Sequence, residues 1–215
     1  MKRYIREPIN ALTHLTGAAL SLIGTFFLLV SYKSNTSFSI AAIISILIFG
    51  TSLVLLYTTS GIYHLVKTTD TVLLRLKKLD HSMIFILIAG SYTPFCLLSL
   101  TGIWKWGIIV TVWTLALVGI TLKICWITMP RWLSTFLYIG MGWIALFALK
   151  PLYHSLSFGG FFFLALGGIM YTVGGIIYGL KKPNISKAFG FHELFHIFVM
   201  LGSACHYWAV LRYVL

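Results

Sequence analysis

The chain has 215 residues, of which 59% are hydrophobic and only 9% are charged. A soluble domain carries about 25% charged residues, so a fold wetted on all sides is excluded. The net charge of +12 does not mark a nucleic-acid binder, because the basic residues lie in short gaps between apolar runs instead of along one stripe.

The start Met1-Lys2-Arg3-Tyr4-Ile5-Arg6 precedes an apolar run long enough to span a bilayer, with no small-residue cleavage site after it. It reads as a retained first helix and not as a leader. Seven runs of spanning length follow in order, at about 11–32, 39–66, 80–100, 104–125, 132–150, 158–180 and 190–213. The gaps, such as Lys33-Ser34-Asn35-Thr36 and Lys181-Lys182-Pro183-Asn184, are too short to hold a soluble domain. The expected architecture is an all-α integral membrane protein, one seven-helix membrane domain over residues 1–215.

With the N-terminus inside, Lys2, Arg3, Arg6, Lys67, Arg75, Lys77, Lys78, Lys123, Arg131, Lys181, Lys182 and Lys187 face the cytoplasm. Lys33, Lys105, Lys150 and Arg212 face out. This bias predicts a cytoplasmic N-terminus and an external C-terminus. The glycine pairs Gly167-Gly168 and Gly174-Gly175 predict close helix packing, and Pro94 a kink in the third helix. Cys96, Cys125 and Cys205 read as buried thiols. Trp104, Trp106, Trp132 and Tyr213 read as interfacial anchors.

Ionisable groups inside a bilayer are costly and are functional candidates by default. The topology puts Ser60 and His64 near the inner end of the second helix. Asp80 and His81 fall at the inner start of the third, and His192, Glu193 and His196 in the first turns of the seventh. Three sequence-distant clusters thus share one depth. His192 and His196, spaced i, i+4, lie on one helix face and can chelate one ion, with His64 as a third ligand. Neutral imidazoles favour zinc over magnesium or calcium. Asp80 is then placed to hold a water or orient a ligand, and Ser60 to support it by a hydrogen bond. The plainer reading of these histidines is packing or ordinary hydrogen bonding.

His192-Glu193-Leu194-Phe195-His196 also fits H-E-x-x-H, in which Glu193 would be the general base of a metalloprotease. The rival reading has Glu193 facing the inner interface or pairing with a lysine. His14, near Glu7 and Asn10, and His81, turned about 100° from Asp80, are candidate supporting partners. His206 is about 15 Å along the helix from His196 and cannot share its ion. His154 receives no role.

Taken together, Ser60-Gly61-Ile62-Tyr63-His64, Leu79-Asp80-His81, Ala89-Gly90-Ser91-Tyr92-Thr93-Pro94-Phe95 and His192-Glu193-Leu194-Phe195-His196 resemble the hemolysin III family. This is the bacterial branch of the progestin and adiponectin receptor superfamily, and the resemblance covers nearly the whole chain. It implies seven helices in a bacterial plasma membrane and a zinc ion near the cytoplasmic face. His64, His192 and His196 match the zinc ligands, Asp80 the aspartate that contacts the zinc-bound water, and Ser60 the motif serine. Within the family Glu193 is not the expected catalytic base. Adiponectin receptors are associated with zinc-dependent ceramide hydrolysis, and bacterial members with reported red-cell lysis. The leading expectation is a zinc-dependent hydrolase of a membrane lipid amide or ester. A cytolytic pore and a non-catalytic sensor of membrane state are its rivals.

Overall fold

The computed structural model describes residues 5–35, 39–186 and 189–215. Lys2, Arg3 and Lys187, counted in the charge bias, lie outside them, as do Thr36 and the side chain of Lys33.

Among the described residues, seven helical segments are long and apolar enough to cross a membrane. They are α1 (Pro8–Asn35), α2 (Ile40–Leu65), α3 (Asp70–Pro94), α4 (Gly102–Cys125), a composite fifth span, α7 (Phe158–Leu180) and α8 (Phe191–Ala209). The fifth span consists of α5 (Arg131–Gly142), a 3-10 stretch Trp143–Ala148 and α6 (Leu149–Ser155). All-helical architecture is what lipid demands, since a helix satisfies its own backbone polar groups. Two helix starts are capped by serine side chains. Ser39 accepts from the Ala42 N–H, and Ser157 from that of Gly160.

The third helix starts at Asp70, ten residues before the apolar run at 80. Hydropathy registers only the part that matches lipid, whereas the charged turn from Asp70 to Lys78 continues the helix beyond it. Asp70 lies in the first turn, where the helix dipole favours an acid. At Pro94, which cannot donate to the ladder, the α-helix gives way to a π-helical turn, Phe95–Ser99. A second π turn, Val210–Val214, follows α8.

In the bundle α1 packs on α2, α2 on α3, α3 on α4, α5 on α7, α7 on α8, and α8 returns to α1. The glycine pairs divide their work. A Cβ on Gly174 would come within 2.9 Å of Phe198 on α8, and one on Gly175 within 3.1 Å of Ile139 on α5. Gly167 is buried against His206 of α8, whereas Gly168 meets no neighbour and borders an internal cavity. The packing expectation therefore holds for three of the four. Of the cysteines, Cys96 is buried, Cys205 half-buried and Cys125 exposed, so the buried-thiol reading fails for Cys125, at the C-terminal end of α4.

Candidate metal centre

The last turn of α2, the middle of α3 and the first turns of α1 and α8 meet at one end of the bundle. The segment before α1 is tied there by its backbone, since the Arg6 and Glu7 N–H groups donate to the carbonyls of Leu65 and His64.

His64, His192 and His196 come together. Their ligating nitrogens all lie within 4.8 Å of one another, and the three can hold a metal ion. His64 Nε2 is 3.3 Å from His192 Nε2. Two nitrogens bound to zinc at about 2.0–2.1 Å with a tetrahedral angle stand about 3.3 Å apart, so this pair already has the chelate spacing. His64 and His196 are 2% and 1% exposed, so solvent does not compete for them from the bundle side.

The tautomer of His64 is set by a carboxylate. Glu7 Oε2 lies 2.5 Å from His64 Nδ1. An Nδ1–H donating to Glu7 leaves the lone pair on Nε2, facing the other two rings. This hydrogen bond holds the Glu7 carboxyl down to about 2, against the opposing effect of its partial burial. Arg6 Nε, 3.2 Å away, also holds Glu7 in place. A carboxylate–histidine pair aimed at a site with two further imidazoles is the donor set of a metal centre, and it fits zinc in charge and softness. Glu7→Gln is expected to lower metal affinity about 10–100-fold, read by competition with a chromophoric chelator.

Ser60 and Asp80 are buried, at 2% and 8% exposed, and line the same apolar cavity as His192 and His196. His81 turns away, its Nε2 3.5 Å from the Tyr178 hydroxyl. Glu193 is occupied elsewhere: Oε1 accepts from Asn10 Nδ2 at 2.8 Å and Oε2 from the Gly190 N–H at 2.8 Å. It caps its own helix and fastens α8 to α1, which removes the expected lysine pairing and weakens the protease signature. The ring of His14 stacks on His196, centroids 3.6 Å apart and planes at 11°, so it buttresses that ligand. His206 contacts Tyr171 and Phe95 and turns Nε2 to the Leu164 carbonyl, away from the centre.

Glu7 and Asn10 received no role of their own from the sequence. The signal was available: Asn10 and His14 are four residues apart on one face of α1, and Glu7, immediately before the helix, is three residues from Asn10.

Two cavities open on the centre. One, of about 220 Å³, is mostly apolar and runs among the helices from Asp80, His192 and His196 to Leu152, Phe161 and His206. The other, of about 650 Å³, is polar and lies beyond the histidines toward the α4–α5 turn.

The family model described as Haemolysin-III related matches residues 2–207. The chain is similar to a protein of Bacillus subtilis (strain 168) named Hemolysin-3 homolog, with 44% identity over 213 residues, 97% of this chain and 95% of the other. It is 38% identical over 216 residues to a Bacillus cereus protein named Hemolysin-3, covering 100% of this chain and 95% of that one. With seven apolar spans beside these matches, the chain is a multi-pass protein of the bacterial plasma membrane and belongs to the hemolysin III family.

Proposed function

We propose that the protein is a zinc-dependent hydrolase of an amide or ester bond in a membrane lipid. The observation that carries this reading is the convergence of three imidazoles beside a buried aspartate, where an apolar cavity meets a polar one. His64, His192 and His196 would hold the ion, leaving a fourth position for chemistry as in catalytic zinc sites. Zinc bound there supplies a Lewis acid for a carbonyl oxygen and acidifies water. The apolar cavity admits an acyl chain from the bilayer and brings its carbonyl to the histidines. Asp80 accepts the proton of the attacking water on its carboxylate, and Ser60 fixes that carboxylate by a hydrogen bond. Glu7 holds the His64 tautomer. By the charge bias, this end of the bundle faces the cytoplasm, with the N-terminus inside and the C-terminus out.

Turnover of a fluorescent ceramide-like amide and its ester analogue by detergent-purified protein tests the reading. Hydrolysis that stops on chelation and returns with added zinc is the expected result. No hydrolysis of either compound by zinc-loaded protein overturns it. Because the relatives bear the name Hemolysin-3, the same preparation is assayed for dye release from liposomes. Release without hydrolysis moves the function to membrane lysis.

A further inference from the structure

Three cations, Lys77, Lys123 and Arg131, line the polar cavity and take no part in the proposed hydrolysis; Arg131 also donates to the Tyr178 carbonyl at 3.5 Å. Lys123, in the last turn of α4, is 2% exposed. A lysine needed only for topology or for the helix dipole would lie nearer the surface, as half-buried Lys78 does, its Nζ on the Ile124 carbonyl at the end of α4. Instead Lys123 Nζ points inward, donating to Ser134 Oγ on α5 at 2.5 Å and lying 6.0 Å from the Tyr138 ring. One hydroxyl partner leaves donors over and the charge uncompensated.

Arg131 is the first residue of α5, where the helix dipole opposes a cation. Its guanidinium lies over Tyr178 at 4.6 Å and Phe191 at 5.3 Å, and no side chain caps the first turn of α5. Lys77, half-buried on α3, completes the group on the same cavity.

The acids on the facing wall do not neutralise these cations. Glu7 is engaged by His64, Arg6 and Asn10 and Glu193 by Asn10 and Gly190, and among the described residues no lysine or arginine pairs with Asp80. Among the described residues the ion pair between a lysine or arginine and a carboxylate is Arg6 with Glu7, which includes none of Lys77, Lys123 and Arg131. A planar fork, two point charges and an uncapped helix start around one cavity have the chemistry of a phosphate receptor. The cavity adjoins the apolar one, since Asp80, His81, Tyr178 and His192 line both.

We propose that this polar cavity binds the phosphate of an anionic amphiphile whose acyl chain lies in the apolar cavity. The centre then prefers a phosphate-bearing lipid to a neutral lipid with the same acyl chain. The substrate statement rests on the hydrolase reading, whereas the phosphate site does not.

The test is equilibrium binding to the metal-free full chain in neutral detergent. The probes are a fluorescent lysophosphatidate and the monoacylglycerol with the same chain, and inorganic phosphate is the competitor. Wild type is expected to prefer the phosphate-bearing probe by at least about tenfold, the effect of one charged hydrogen bond. Lys123→Met and Arg131→Gln should each remove most of that preference and leave monoacylglycerol binding unchanged, which shows that the variants are folded. Equal affinity for the two probes in wild type overturns the proposal. So does a preference that both variants retain. Displacement of lysophosphatidate by inorganic phosphate at equal affinity identifies free phosphate as the ligand and overturns the lipid assignment. If the preference holds but zinc-loaded protein cleaves nothing, the hydrolase reading fails alone. If neutral and phosphate-bearing amides are cleaved equally fast, the phosphate proposal fails alone.

Discussion

Protein purified in mild detergent is expected to carry about one zinc ion per chain, the occupancy of a three-imidazole site with one open position. It is expected to lose that ion when His64, or His192 with His196, is replaced by alanine. The site is divided between the C-terminal turn of α2 and the first turns of α8, so neither half can chelate tightly alone. His192 and His196 are one helical turn apart, and His64 supplies the ligand whose lone pair Glu7 directs. Mass spectrometry of wild type, the two variants and His154→Ala, an exposed histidine away from the centre, separates a specific site from incidental binding. Wild type without metal even after reconstitution with zinc would remove the basis of the hydrolase reading. Retention of a full equivalent by His64→Ala would relocate the ion. Chelation also reports on the ion's role. A ligand bound only by the folded state at about 1,000 times its Kd adds about 4 kcal/mol, so a large drop in Tm marks an ion that holds α2 to α8. A small one marks an ion the fold does not need.

The sequence disclosed whatever depends on depth and spacing. Hydropathy alone marks seven spans, and placing His64, Asp80, His192 and His196 on them puts all four at one level before any packing is known. The 100° turn per residue places His81 away from Asp80, and the rise per residue keeps His206 out of the centre. What stayed hidden depends on which side chain a residue meets across the bundle. Glu7 acquires its meaning from the Nδ1 of a histidine 57 positions later, and Glu193 loses its catalytic reading to Asn10 and the Gly190 N–H. Lys123 counts as one more cytoplasmic charge until it is found inside the bundle on Ser134. The beginning of α3 at Asp70 was hidden for another reason, since a helix that leaves the bilayer becomes polar without ending.

Asp80→Asn is expected to slow lipid hydrolysis by about 10²–10⁴-fold while leaving the metal content at the wild-type value, the range observed for loss of a general base. The substitution keeps the size of the side chain and its ability to bond Ser60, but removes the oxygen that takes up a proton. Intact metal content distinguishes this loss from collapse of the centre, in which ion and activity would vanish together. Ser60→Ala should produce a smaller decrease, because the serine acts through the carboxylate it orients. Glu193→Ala is the opposing case. Both its oxygens already serve a cap and an α1 contact, so it should retain most of the turnover and lose some thermal stability. If instead Glu193→Ala abolished turnover and Asp80→Asn spared it, the H-E-x-x-H arrangement would be acting as in the zinc proteases. Glu193 would then have to release Asn10 and Gly190 to reach the substrate, a rearrangement that hydrogen exchange at the first turn of α8 would reveal.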